Sequence, residues 1–485
     1  MDQPIAVEEP AAAAPPRRKR RATEVLAALS RPKVGVMLAL GFSSGLPFML
    51  IGNTLGLWLA EDHIKLALIG FVSWIQLTYS VKFIWGAVVD RLPAPLAGAL
   101  GRRRGWMLIT QIVVAAGLLG MAAADPRSQL PVMIGFGLLA GVGAASQDTV
   151  IDAWRIEIAA DADELGLLTS AYSLGFRAAL VATEALILLL ATAVGWPLAY
   201  AIYAGLMVVG VIATLLAREP ERADAATEAA RVDPIEAAVV AVMESGRVPP
   251  ARAALDAVVG PFVAFFRSHG LAMGALMLAT ITLYHLCDYM RGPMSLPFYH
   301  ALGISKPTIA AVRASLGLGG SLAGIALGGL ASLRLGIARA LIVGAILQPI
   351  GIAAFALMAF HGGDYVLFSL GPAPVTAFAA IMTFDAVAIG FSGVALVAYM
   401  SSLTSLGYTA TQYALLTSAL TWSGKFLKGF SGAIVENLQH GRSLLEAYGL
   451  FYVFSGAIGL PAILLCIWLA TVQRPKPGLA AAPAE

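Results

Sequence analysis

The chain has 485 residues, of which 59% are hydrophobic and only 13% charged, where soluble domains carry about 25% charge. Its net charge of +3, from 32 basic and 29 acidic residues, provides no broad basic face for a nucleic-acid backbone. Cys287 and Cys466 lie far apart inside apolar runs, which excludes a disulfide framework and a Cys-x-x-Cys site. An ordinary soluble enzyme is excluded as well.

Apolar runs long enough to cross a hydrocarbon core of about 30 Å are read as membrane spans. Twelve are predicted, over residues 34–60, 66–89, 105–124, 129–154, 165–194, 196–217, 269–300, 306–332, 337–360, 373–403, 409–435 and 444–472. The fold class is therefore all-α and polytopic. Residues 1–33 lack the apolar core of a cleavable signal and read as a cytoplasmic tail, so the first span is expected to serve as its own insertion signal. Most Lys and Arg residues outside the spans fall in the tails and in the alternate loops that share the N-terminal side, which predicts both termini in the cytoplasm. Residues 218–268 form the one long polar insertion, a linker between a 34–217 bundle and a 269–472 bundle, with 473–485 as a second tail. Within the linker, 235–244 reads as a helix, and the Phe-rich stretch at 261–267 reads as an interfacial one. Pro293 and Pro297 are expected to break or kink the seventh span near one face.

The halves carry traces of a repeat. Leu167-Leu168-Thr169-Ser170-Ala171 recurs 248 residues later as Leu415-Leu416-Thr417-Ser418-Ala419, and at the same offset Arg177 falls on Lys425. Repeated halves with polar groups near mid-depth are what alternating-access carriers require.

An ionisable side chain at the bilayer centre costs about 2.5–3.5 kcal/mol on insertion scales, so each implies a partner or a wet cavity. Such groups here are Lys82, Asp148, Asp152, Arg177, Glu184, His285, Asp288, Arg313, Asp385, Lys425 and Lys428. Asp148 and Asp152 share a face of the fourth span, with Arg155 one turn below and Lys82 at similar depth. They are either a gate or a static pair joining two helices. Arg177, Lys425 and Lys428 would offer an anionic solute positive charge from both halves, although Glu184, seven residues after Arg177, could neutralise the first. His285, Asp288 and Asp385 are candidates for coupling proton movement, the bland alternative being bonds to backbone freed near Pro293. Gly320, Gly324 and Gly328 form a row that normally means close helix packing. Gly41-Phe42-Ser43-Ser44-Gly45 matches the hydrolase elbow, but that elbow needs a strand-to-helix turn and this copy lies within a span. No phosphate loop or His-Glu-x-x-His is present, so no cofactor, metal or built-in ATP motor is expected.

Gly86-Ala87-Val88-Val89-Asp90-Arg91 followed by Gly101-Arg102-Arg103-Arg104-Gly105 resembles the loop signature of the major facilitator superfamily, with a reduced copy ending in Arg334 and Arg339. Ser146-Gln147-Asp148-Thr149-Val150-Ile151-Asp152-Ala153-Trp154-Arg155 is similar to the AmpG muropeptide permease family within it. So are Gly41–Pro47, Lys82-Phe83-Ile84-Trp85 and the stretches from Ala398 and Thr409. The resemblance covers nearly all of residues 34–470. It implies an inner-membrane carrier that imports anhydro-muropeptides from the periplasm for cell-wall recycling, dependent on the proton gradient and working as a single chain. It assigns gating to Asp90, Arg102, Arg103 and Arg334 along with Lys82, Asp148, Asp152 and Arg155, and it adds Asn53, Gln147 and Gln412 as sugar or amide partners. His285-Leu286-Cys287-Asp288 stands where that family carries Lys-Leu-Gly-Asp. A carrier of another organic anion such as acetyl-CoA, or a non-transporting assembly factor on the same fold, are the alternative readings.

Overall fold

The computed structural model describes residues 31–82, 94–95, 97–160, 162–220, 266–267, 269–370, 373–403 and 421–472. Among the described residues, ten helices are long and apolar enough to cross a membrane. They are α1 (Pro32–Glu61), α3 (Arg102–Ala123), α4 (Pro126–Ile158), α5 (Glu164–Val194), α6 (Trp196–Leu216), α7 (Leu271–Ala301), α8 (Lys306–Leu335), α9 (Ile337–His361), α10 (Ala377–Leu403) and α12 (Leu444–Val472). The expected second span begins as α2 (Leu66–Val81) and the eleventh is represented by α11, residues 421–438. The 235–244 helix, residues 261–265, the Gly86–Arg91 motif with Asp90, the 415–419 repeat, Gln412, residues 1–30 of the first tail and all of the second lie outside the described residues.

The turns explain the boundaries. Gly195 (φ 81°) and Gly336 (φ 83°) are the single residues between α5 and α6 and between α8 and α9. Such a turn needs a left-handed backbone that a side chain disfavours. Ser443 and Glu446 cap α12 reciprocally.

Two expectations are corrected. Pro293 and Pro297 lie inside regular helix, and α7 is instead broken at His285 (φ −105°, ψ 11°). Around the prolines, Ser295 Oγ donates to the Arg291 carbonyl at 3.2 Å, and Tyr452 donates to that of Met294 at 3.5 Å. The tenth span does not start at 373. Ala373–Thr376 (β2) pairs antiparallel with Val366–Leu370 (β1) in a hairpin between α9 and α10. Pro374 pushes Ala373 toward extended backbone, which delays the helix.

Glycines set the closest helix pairs. Side chains at Gly41 and Gly45 of α1 would strike the α5 backbone at Tyr172 and Phe176. Side chains at Gly320, Gly324 and Gly328 of α8 would strike the carbonyls of Thr383, Val387 and Phe391 on α10. The elbow-like motif of α1 is thus a packing seam.

One end of the bundle, here the terminal face, holds residues 31 and 472; the other is the distal face. On the distal side a single apolar core runs through helices of both halves, from Trp58, Trp196 and Tyr200 to Phe298, Phe355 and Tyr452. On the terminal side the core is two separate clusters. One, from α1, α3, α4, α5 and α6, contains Met37, Met107 and Trp154; the other, from α7, α9, α10 and α12, contains Ile281, Tyr284 and Leu469. Across the halves α1 meets α7, α2 meets α7 and α11, and α5 meets α8. The described residues are therefore closed distally and parted toward the terminal face.

Candidate substrate cavity

Both cations of the sequence repeat lie where one half meets the other, but in different places. Lys425 Nζ donates to Ser80 Oγ on α2 at 3.1 Å and lies 5.9 Å from the centre of the Tyr79 ring. Lys428 Nζ donates to Gln76 Oε1, also on α2. Both lysines are buried. Lys82, at the end of α2, is near enough for its charge to act on Asp148 and on Lys425. Asp148 accepts from Ser44 Oγ and from Tyr172 OH (3.3 Å), so α1, α4 and α5 converge on one carboxylate. Asp152 pairs instead with Arg155 of its own helix at 2.9 Å, and that guanidinium stacks over Tyr172. The α2–α11 seam continues distally in an aromatic stack, in which Trp74 lies flat on Phe426 and donates to its carbonyl at 2.7 Å.

Arg177 lines a cavity of about 230 Å³ between α5, α7, α8 and α10, together with Glu184, Arg291, Tyr299, Arg313 and Asp385. Glu184 and Arg313 each sit on a π-helical turn, Ala182–Leu186 in α5 and Arg313–Gly317 in α8. Such widened turns re-aim side chains and recur at functional sites. Glu184 has Arg313 across the seam at 3.8 Å, a cation other than the Arg177 expected to be its partner. At 1.5 Å per residue, Arg313 is about 10 Å and Arg177 about 26 Å from the distal ends of their helices.

The centre of this cavity is a residue that sequence reasoning missed. Arg291 is buried and donates to Asp288 Oδ1 at 2.7 Å and to Asp385 Oδ2 at 2.9 Å. Asp288 and Asp385 are therefore not isolated carboxylates but share one guanidinium. The signal was present as Asp288-x-x-Arg291, an acid and a base one helical turn apart, but it was masked by the expected break at Pro293. His285 is turned toward α9, its Nδ1 2.7 Å from Gln348 Nε2.

Gln147, expected as a sugar or amide partner, does not line this cavity. It is fully buried between α1 and α4 and donates to Ser43 Oγ at 3.0 Å. Asn53, half-buried, faces Gly292 where α1 meets α7. Arg334 is exposed at the end of α8. Arg102 and Arg103 reach Glu157 of α4, Arg102 at 3.2 Å and Arg103 through its Nε at 3.0 Å. Lys33 of α1 reaches Glu164 of α5 at 3.4 Å. These ties join helix ends within the first half.

A second unforeseen group closes the distal face. Glu61 Oε2 accepts from Lys306 Nζ at 2.9 Å and from Trp196 Nε1 at 2.7 Å, and the ammonium lies 5.0 Å from the Trp196 ring centre. It links α1, α6 and α8. Charges at span ends look like ordinary loop polarity in a sequence, so nothing there marked this pair.

The arrangement is a charged chamber between two helix sets joined at one end. The model of the Major Facilitator Superfamily matches residues 37–424. The chain is 32% identical to the anhydromuropeptide permease of Escherichia coli K12, over 92% of this chain and 81% of that protein. It is 27% identical to the putative transporter AmpG 4 of Rickettsia conorii, over 89% of this chain and 95% of the other. Its fold is similar to that of a bacterial homologue of the human lysosomal transporter Spinster, with a TM-score of 0.60 and 13% identity, covering 95% and 100% of the two chains. The chain is thus a multi-pass membrane protein that belongs to the major facilitator superfamily and, within it, to the family of AmpG-type permeases.

Proposed function

We propose that the chain is a secondary carrier of the inner membrane that imports anhydro-muropeptides, GlcNAc-anhydroMurNAc with or without its peptide, from periplasm to cytoplasm for peptidoglycan recycling. The observation that carries this reading is the core that is continuous distally and divided toward the terminal face, around a chamber with charges from both halves. With both termini cytoplasmic, the division corresponds to a carrier open inward. The relative at 32% identity, an anhydromuropeptide permease, supports the substrate class.

In this reading twelve spans form two bundles, 34–217 and 269–472, joined by the 218–268 linker, and a single chain suffices. Arg177, Lys425 and Lys428 attract the anionic groups of the solute, because fixed cations in a low-dielectric chamber favour an anion. Asn53 meets sugar hydroxyls where α1 meets α7. Asp288, Asp385, Glu184 and His285 couple uptake to protons, with Arg291 holding the two aspartates in place. Asp148 with Lys82, and the Arg102–Arg103–Glu157 group, tie helix ends during the cycle.

The test is uptake of labelled anhydro-muropeptide into proteoliposomes. The expected result is accumulation that rises when the outside is made acidic and collapses with a protonophore. Accumulation of acetyl-CoA instead would mark the chain as a carrier of another anion, and no uptake of any solute would favour an assembly role.

A further inference from the structure

The two charged groups differ in their accounts. Among the described residues of the α2–α11 seam, Lys82 and Lys425 lie within charge range of Asp148, Lys428 reaches Gln76, and Asp152 is taken up by Arg155. In the chamber between α5, α7, α8 and α10 three guanidinium groups, from Arg177, Arg291 and Arg313, are matched by Glu184, Asp288 and Asp385. Beside these pairs, polar atoms of both kinds are left over. Asp385, with 6% of its side chain exposed, has Oδ1 buried and without a hydrogen-bond partner. So is Nη1 of Arg313, which is 3.8 Å from Glu184, beyond bonding distance, and so is Nε of Arg291. A buried polar atom left unpaired is costly, so these atoms favour an occupant that is donor and acceptor at once.

We propose that this chamber receives a zwitterionic amino-acid end of the transported molecule, its ammonium donating to Asp385 Oδ1 and its carboxylate accepting from Arg313. The proposal rests on the carrier reading above and narrows its substrate class: the preferred solute bears a peptide whose last residue keeps an uncoupled ammonium and carboxylate on one carbon. The cavity of about 230 Å³ has room for such a group, being equivalent to roughly seven waters at about 30 Å³ each. The cation-rich α2–α11 seam is left for a lone carboxylate.

The test compares two probes in proteoliposomes holding the full chain: labelled anhydro-muropeptide with its terminal ammonium free, and the same molecule with that ammonium acetylated. The wild-type protein is expected to take up the free form with a KM at least tenfold lower, and Asp385→Asn and Arg313→Gln should each bring the ratio of the two KM values toward one. Equal KM values in the wild type overturn the proposal. So does a variant that loses both probes in equal proportion while the wild type discriminates. Uptake of neither probe by a wild-type protein that inserts normally defeats the carrier reading itself, which separates that failure from the others.

Discussion

Arg291 shows what one side chain does for a group of carboxylates inside a membrane protein. Its guanidinium meets Asp288 and Asp385 at 2.7 and 2.9 Å. Removing one member of a buried ion cluster strands the others, a loss of about 3–5 kcal/mol. Arg291→Leu is expected to lower the thermal midpoint in detergent by several degrees, and adding Asp288→Asn and Asp385→Asn to it should recover part of the loss. A triple variant no more stable than Arg291→Leu would show that the cluster is not the source. Arg177 is exposed to the chamber rather than locked by a partner at bonding distance. Arg177→Ala should therefore insert and melt like the wild type while uptake falls at least tenfold. A variant with normal uptake would remove Arg177 from the substrate path. The residue types at this scale were visible in sequence because charge is rare in an apolar run. Their pairing was not, since Glu184 and Arg313 come from different halves.

At the scale of helices, spacing patterns carried most of the information. The row Gly320, Gly324, Gly328 was readable as a packing face, and it does let α8 lie against the carbonyls of α10. Gly324→Leu would force a side chain into the Val387 carbonyl, at a cost of about 1–3 kcal/mol. The expected outcome is a lower yield of monodisperse protein and a lower thermal midpoint, checked by size-exclusion chromatography and thermal unfolding. Unchanged stability would mean that the two helices can part without penalty. Helix interruptions were less readable. Proline marked the wrong place in α7: Pro293 and Pro297 lie inside the helix, while the actual break at His285 carries no proline. The hairpin Val366–Thr376 sits at the end of an apolar run, where hydropathy alone does not distinguish strand from helix.

For the whole molecule, function lies in how the two helix sets are held together at the distal end and parted at the other. Glu61–Lys306 and the α2–α11 contact are the distal closures. Both partners of the ion pair are about one-fifth exposed, so the pair is worth about 1 kcal/mol, or roughly a fivefold change in the balance of open and closed forms. Glu61→Gln should raise the rate at which a membrane-impermeant thiol reagent labels Asn53→Cys by about that factor, against the background of the buried Cys287 and Cys466. Equal labelling rates would show that the pair does not hold the distal face. At the second closure, a side chain on Gly432 would meet the Leu66 carbonyl. Gly432→Val is expected to increase the same labelling further and to slow uptake, because the clash exists only in the distally closed form.

By itself the amino-acid sequence determined that this is a membrane protein, how many apolar runs it contains and approximately where each begins, and which few charges are out of place in them. These follow from local quantities, namely the length of an apolar run against bilayer thickness and the turn chemistry of single residues such as Gly195 and Gly336. Only the tertiary structure decided which charges meet: that Asp288 and Asp385 share Arg291, that Lys425 belongs with Ser80 and Gln76's neighbour Tyr79 rather than with Arg177, and that Gln147 is inside a bundle rather than on a wall. The reason is that an ion pair needs its partners within about 4 Å, and across a seam between two helix sets that proximity is set by how rigid bodies pack, which no spacing along the chain encodes.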